Sequence, residues 1–365
     1  MAERCVTVLG GGNTAFTIAA KLSLDGVKVS LCEIPGFEHM VEPIQESREI
    51  ALDGVAHQGT ACLEAVTTDF ACGIPENGLL LLSVPAYAHR PFAEACAPHL
   101  KSGQTLVLMP GTLGSLEFAQ VLQAHGAPSD ITFAEVDTAP YVCRKLTPTS
   151  AHIWGVVDGL GLGVWPASEG ERVLKMVEPL FPGISLYPHA AACGLSSMNP
   201  VVHPAGVLMN AGRIERSRGE FYFYDEGVTP AVCNVVYAID AERLAVAENI
   251  GVKLTPVDEA FHAAGFGPKG DLWETINGSR MLTQLRAPVV LDNRWLTEDV
   301  PYGIASWALL GEQLGVPCPH MSAVVDLNSA MMKRDFWAAA RTPEHLGIGG
   351  MNREALVNYL DSGTR

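Results

Sequence analysis

Three groups of residues in this 365-residue sequence have types and spacing suited to chemistry. The first is Gly10-Gly11-Gly12-Asn13-Thr14-Ala15, a GxGxxA pattern directly after a short apolar run and opening a helical one. Gly10 permits a tight turn, Gly12 lets a pyrophosphate approach the backbone, and Ala15 lets helix and strand pack closely. The helix start, at Asn13 and Thr14, then offers unpaired N–H groups and a positive dipole end to phosphates. The second is Glu33, at the end of the next strand, where an acid receives the ribose hydroxyls of an adenosine. A carboxylate there repels the extra phosphate of NADP, and Ile34-Pro35-Gly36-Phe37 bring no arginine to offset it. NAD is favoured over NADP. The third is His203. A nicotinamide reductase needs a proton donor beside the carbon that takes hydride, and imidazole titrates near neutrality.

Eleven histidines compete for that role. His89, His99, His125, His262 and His345 sit at helix ends or on polar faces, where a solvated ring is the default. His203 is followed by Pro204, which removes a backbone N–H and biases residue 203 away from helical geometry, so a kink or broken helix start is expected. Asn199 lies one turn earlier if the segment is helical.

These residues need a scaffold, and the chain is long enough for two domains. The first half alternates β-branched runs with helical stretches, as a parallel sheet with crossover helices does. Strands are expected at Cys5–Leu9, Val27–Glu33, Leu79–Val84, Thr105–Met109 and Ile131–Val136, and helices at Asn13–Asp25, Tyr87–Leu100 and Leu113–His125. Short strands between Ile153 and Trp165 and a helix over Glu169–Glu178 complete a doubly wound domain, residues 1–185. Two strand ends, Ser83-Val84-Pro85 and Met109-Pro110-Gly111-Thr112, then fall at the carboxyl edge of the sheet, where nucleotides lie. For Thr112 an ordinary strand-to-helix turn is an equal reading. Residues 186–365 carry helical periodicity nearly throughout, best at Thr229–Asn249 with Pro230 in the first turn and Gly251 as the stop. Further helices are expected at Pro256–Ala264, Ile304–Leu314, Met321–Met332 and Arg353–Leu360.

Composition narrows the function. A net charge of −16 argues against nucleic acid or an anionic membrane as partner. It also means that anionic ligands must be held by local devices such as helix N-termini or single arginines. No apolar run reaches the roughly 18 residues of a membrane helix, and the start resembles a strand rather than a signal peptide. Nine scattered cysteines, none spaced as CxxC, fit reduced thiols in a cytoplasmic protein, with neither disulfides nor a metal site.

The motifs in order carry a family resemblance. Asn199-x-x-x-His203-Pro204, Glu226-Gly227-Val228-Thr229-Pro230, Asp240-Ala241-Glu242-Arg243 and Arg294-x-x-x-Glu298-Asp299-Val300 resemble the successive motifs of the opine dehydrogenases, from the glycine turn almost to the C-terminus. That resemblance implies an α/β Rossmann domain followed by an all-α domain, with catalysis in the cleft between them. It implies NAD(P)H-dependent reductive condensation of an amino acid with a 2-keto acid, commonly pyruvate, through an imine. His203 is then the general acid/base and Asp299 its partner, because a buried carboxylate fixes the imidazole tautomer and stabilises its charged form. Arg294 becomes the anchor of the keto-acid carboxylate, or else a salt-bridge partner of Glu298 or Asp292. Asn199 becomes a polar contact near nicotinamide and keto acid, or a cap of the following turn.

One segment departs from the pattern. Glu135-Val-Asp137-Thr-Ala-Pro140-Tyr141-Val-Cys143-Arg144 keeps the family's Glu and Cys-Arg ends but has Asp137 and Pro140 where small hydroxyl residues are usual. The segment is expected to edge the cleft, placing Tyr141 against substrate, and Asp137 either holds a cationic amino group or caps a turn. The identity of the amine stays open, as does the choice between monomer and homodimer. Two rivals stand beside this reading. A keto-acid or keto-phosphate reductase of related architecture uses a lysine as proton donor, whereas Lys175, Lys253 and Lys269 look exposed. A non-catalytic NAD(H) sensor has no need of His203, Asp299 and Arg294 together.

Overall fold

The computed structural model describes residues 5–74 and 78–364, and these divide into two compact units. The first runs to Gly194 and takes in Leu360–Gly363 from the C-terminal helix Arg353–Ser362; the second comprises Leu195–Tyr359. The change of unit falls nine residues beyond the 185/186 boundary expected from periodicity.

In the first unit twelve strands form two sheets: β1 (Cys5–Leu9), β2 (Lys28–Cys32), β3 (Glu49–Gly54), β4 (Gly59–Cys62), β5 (Ala65–Thr67), β6 (Leu79–Leu82), β7 (Thr105–Leu108), β8 (Thr132–Val136), β9 (Tyr141–Thr147), β10 (Ser150–Val156), β11 (Gly161–Trp165) and β12 (Ser185–Leu186). The larger sheet has the order β12-β11-β8-β7-β6-β1-β2-β5. All neighbours in it are parallel except β11 against β8. Its central strands are buried on both faces, which is why Leu79–Leu82 and Thr105–Leu108 are almost uninterrupted apolar runs. Alternation divides them all the same: Leu79 and Leu81 enter one core, Leu80 and Leu82 the other.

The second sheet, β4-β3-β10-β9, was not anticipated, nor were β3, β4, β5 and β9 as strands. The region Ile153–Trp165 does form strands, but β10 and β11 belong to different sheets. The inner residues of the second sheet, Ile50, Leu52, Ala61, Ala151 and Ile153, share a core with α1 (Asn13–Leu24). Helix α1 therefore lies between two sheets. Phe16, Ile18, Ala19, Ala20 and Leu22 are completely buried, as a helix enclosed on both sides requires.

The regular elements among the described residues of the second unit are all helical, joined by turns and loops, apart from one isolated bridge between Tyr222 and Arg286. Its centre is the helix Asn199–Met209, packed by Pro230–Asn249, Pro319–Met332 and a π-helical segment, Asp299–Ala305. Pro204 does not break the first of these helices. Of the kink or broken start expected there, the broken start is corrected: the helix runs on through Pro204, which lacks the N–H for one bond of the ladder. The helix predicted from Ile304 begins at Ser306, and the turn before it is the π-helical segment. No described helix is long and apolar enough to cross a membrane.

Candidate active site

The glycine turn joins β1 to α1 as its spacing predicts. Gly10 has φ +113°, and a Cβ there would lie 2.6 Å from Val84 and 2.9 Å from the Ser83 carbonyl oxygen. Only glycine fits that close approach. Gly12 is different: a Cβ would meet nothing within 4 Å, so the space over it is open. Gly12 is also the N-cap of α1, and no side chain caps the helix there. The first amides of a twelve-residue helix, at Asn13, Thr14 and Ala15, thus have no side-chain acceptor from the cap, and the donor set fits a pyrophosphate. The Asn13 side chain has a second task, its Oδ1 accepting the Lys145 backbone N–H at 2.9 Å.

Glu33 sits at the end of β2 and is 5% exposed. Its carboxylate accepts from Gly11 N–H at 2.6 Å and Ile34 N–H at 2.8 Å, so it braces the glycine turn. Burial pushes its pKa up against the pull of those two donors. Each carboxylate oxygen retains a second acceptor site of the kind ribose hydroxyls require.

Val84 and Pro85 are half-buried beside Gly10. Gly111 is buried, and a Cβ there would lie 2.2 Å from Glu135, so its smallness serves packing within the sheet edge. Thr112 (φ +50°) and Leu113 (φ +67°) follow in the left-handed region, which side chains rarely adopt. The buried Glu135 holds them there by accepting from Leu113 N–H at 2.8 Å and from the Ser115 N–H and hydroxyl.

One cation escaped the sequence reading. Lys145, on β9, donates to the Met40 carbonyl at 2.9 Å and reaches the Gly11 carbonyl at 3.4 Å, with its Nζ 4.0 Å from the Phe16 ring centre. It places positive charge beside the glycine turn of a strongly acidic chain. Burial lowers its pKa, and Glu33 opposes that shift. Its one signal was its place directly after Cys143-Arg144.

In the departing segment one expectation is corrected, and of two alternatives for another residue one is favoured. Tyr141 turns inward rather than to an open edge: it is 6% exposed, meets Phe181 with the rings tilted by 41°, and belongs to the core. Asp137 accepts from Gly161 N–H and the Tyr187 hydroxyl, both at 3.1 Å, which is the turn-holding role.

The second unit assembles its own constellation. His203 is 7% exposed, on the inner face of the helix Asn199–Met209. Its Nδ1 is 2.7 Å from Asp299 Oδ2 and its Nε2 is 2.9 Å from the Tyr224 hydroxyl. Trp295 stacks on the ring at 4.4 Å with planes 12° apart. Burial raises the Asp299 pKa, and the bond and charge of His203 pull it back. Asp299 opens one π-helical segment and Tyr224 lies in another, Phe223–Gly227. Such turns gather at functional sites because the wider coil displaces a residue from helical register. Two glycines make room for them. A Cβ on Gly303 would lie 2.3 Å from Pro200, and one on Gly206 would lie 2.6 Å from Phe223.

Around this triad the expected substrate residues are placed less uniformly. Asn199 is exposed, four residues before His203 and at the first position of its helix; Met198 is the cap. Arg294 is 61% exposed in its side chain and its Nε pairs with Glu298 at 2.5 Å. Asp292, the other partner considered, pairs with Arg334. Tyr224 and Trp295 were not singled out from the sequence. The dense aromatic run Phe221-Tyr222-Phe223-Tyr224 was the available signal for Tyr224.

A search against family profiles matches residues 186–332 to the alpha-helical domain of NAD/NADP octopine/nopaline dehydrogenases. An opine dehydrogenase of Arthrobacter sp. (strain 1C) is 30% identical over 360 residues, covering 98% of this chain and 99% of that one. This chain belongs to the opine dehydrogenase family. Members are NAD(P)-dependent oxidoreductases acting on CH–NH bonds. Among solved structures, octopine dehydrogenase with NADH and agmatine superposes with a TM-score of 0.80, at 20% identity, covering 99% of this chain and 98% of that one. The same enzyme with NADH and pyruvate gives 0.77 at equal identity and coverage. Yersinopine dehydrogenase with NADP+ bound gives 0.75 at 15% identity, covering 98% of each chain. The opine dehydrogenase fold is therefore present over the full described length.

Proposed function

We propose that this opine dehydrogenase couples an amino acid to a 2-keto acid, with pyruvate the first candidate, and that His203 is its general acid/base with Asp299 behind it. The observation that carries the reading is the 2.7 Å contact between His203 Nδ1 and Asp299 Oδ2 in a largely dry, Trp295-covered site. In that arrangement the carboxylate holds Nδ1 as the protonated nitrogen, so Nε2 is the one that exchanges protons. A proton is needed when the carbinolamine formed from the two substrates loses water, and a base is needed when the reaction runs backwards. Bound NADH supplies the hydride that reduces the imine carbon.

The remaining roles follow from charge and position. The uncapped amides of α1 and the open space over Gly12 take the pyrophosphate. Glu33, a carboxylate where NADP would carry its extra phosphate, favours NAD. Asn199, exposed one turn from His203, offers a polar contact to substrate. Arg294 serves the keto-acid carboxylate only by sharing or releasing its pairing with Glu298. Octopine dehydrogenase is solved with pyruvate, which supports the keto acid named here.

The test is NADH oxidation followed at 340 nm over a matrix of amino acids and keto acids, with wild type and His203→Ala. Turnover requires both substrates, and the variant loses it by about 10²- to 10⁴-fold while NADH affinity stays unchanged. Equal oxidation with a keto acid alone, or near-normal turnover of the variant, refutes the reading.

A further inference from the structure

Both nitrogens of the His203 ring are engaged: Nδ1 with Asp299 and Nε2 with the Tyr224 hydroxyl at 2.9 Å. One face of the ring is covered by Trp295. No nitrogen is left over to meet a substrate atom directly. Tyr224 is also firmly placed. Its neighbour Phe223 fills the notch left by Gly206 and meets the Tyr224 ring edge-on at 5.1 Å, with planes 89° apart. The hydroxyl is therefore part of the built site, and it stands on the ring nitrogen that Asp299 leaves for proton exchange.

We propose that Tyr224 is a catalytic residue, the substrate-facing end of a proton relay that runs Asp299–His203–Tyr224. The inference rests on His203 as the general acid/base and adds the group that touches substrate. In carbinolamine dehydration the Tyr224 O–H bond breaks and its proton goes to the departing hydroxyl. The C–O bond breaks with its electron pair, water leaves, and the amine lone pair closes the C=N bond. The proton on Nε2 of the imidazolium passes to the phenol oxygen and restores it. One proton has left His203, Tyr224 is unchanged, and nothing is oxidised or reduced. A phenol is suited to this because it donates and accepts through one oxygen. Burial and the nearby Asp299 charge push the Tyr224 hydroxyl well above its ordinary range, so it stays protonated between transfers.

Tyr224→Phe removes the hydroxyl and keeps the ring. The relay predicts a fall in kcat of about 10²-fold, the low end of general acid–base contributions, with NADH affinity and melting temperature close to wild type. A kcat within 3-fold of wild type from pH 6 to 9 overturns it. His203→Ala measured alongside separates the two ideas. If that variant is dead and Tyr224→Phe is active, the relay fails and the His203 assignment stands. If His203→Ala is active, both fail. A wild-type measurement settles the matter should the phenylalanine variant not fold. Two protons in flight give a curved dependence of the single-turnover rate on the D2O fraction, and a linear dependence or none overturns the relay. A residue that only positions the ring produces no such curvature.

Discussion

Replacing Asp299 by asparagine isolates the contribution of charge behind the proposed acid/base. The side chains are nearly isosteric, so the 2.7 Å contact with Nδ1 is kept while the carboxylate charge is lost. Two effects follow. A unit charge about 4 Å from the imidazolium centre, at an effective dielectric near 20, contributes about 4 kcal/mol. Part of that is offset because Asp299 is itself expensive to ionise in its buried position. Roughly 3–4 kcal/mol remaining corresponds to a rate loss of about 10²- to 10³-fold, at 1.36 kcal/mol per decade. The second effect is tautomeric. An amide NH2 turned to the ring makes Nδ1 an acceptor, moves the proton to Nε2, and removes the lone pair that Tyr224 now faces. The assay is steady-state NADH oxidation with saturating amino acid and keto acid, together with NADH affinity from nucleotide fluorescence. The expected result is a kcat lowered by about 10²- to 10³-fold with NADH affinity within 2-fold of wild type. A kcat within 3-fold of wild type refutes the reasoning, because a charge so close to the working group cannot be both unscreened and inconsequential.

Gly12→Ala and Gly10→Ala should behave oppositely. The first places a methyl in open space and leaves the melting temperature unchanged while NADH affinity drops at least 10-fold, measured by titration; unchanged affinity removes Gly12 from the pyrophosphate site. The second forces a positive φ and an overlap with Val84 and Ser83, costing about 3 kcal/mol of stability on denaturant unfolding. Asp137 and His189 form a further pair of opposite sign. Burial raises the Asp137 carboxyl from 3.8 to about 6, so its stabilising contribution is present below pH 4 and lost as pH rises through 6. Burial lowers the His189 ring from 6.5 to about 4, so its contribution is present above pH 6.5 and lost as pH falls through 4. Each amounts to about 3 kcal/mol, and the two nearly cancel in the wild type. Asp137→Asn unmasks a stability that rises with pH from 4 to 7, His189→Asn one that falls, and parallel pH profiles for all three proteins contradict the assignment.

The nucleotide half of the site was legible because its information is local. A strand, three glycines and a helix start occupy eleven consecutive residues, Cys5–Ala15, and Glu33 follows at the next strand end. His203 stood out through Pro204, yet its pairing with Asp299, 96 residues away, came only from the family's ordered motifs. No spacing rule reaches that far. Proline misled in one respect, since tertiary packing holds the helix together across Pro204. The second sheet was missed although Glu49–Gly54 alternates cleanly, with burial to match. One partner, β4, follows at once, but the other, β10, lies a hundred residues on, so the sheet as a whole is not a local pattern. Tyr141 was misread for a related reason. A polar tip in a segment of family interest suggested substrate, while strand parity sends the ring into the core. Tyr224 was hidden because it lies in a π-helical turn, which obeys neither period used to read the chain, and Trp295 because the four-residue helix that carries it, Arg294–Thr297, is too short to show one.

The hydrogen bond from the Lys145 amide to the Asn13 side chain spans 132 residues and fastens the end of β9 to the very first turn of the protein. During synthesis the turn is made well before the strand that fastens it. Bringing such distant points together carries a loop-closure cost that no local contact repays beforehand. The glycine turn thus has two fastenings of different reach, Glu33 from the next strand end and Lys145 from β9 in the second sheet, and the second ties the phosphate cradle to the pairing of that sheet.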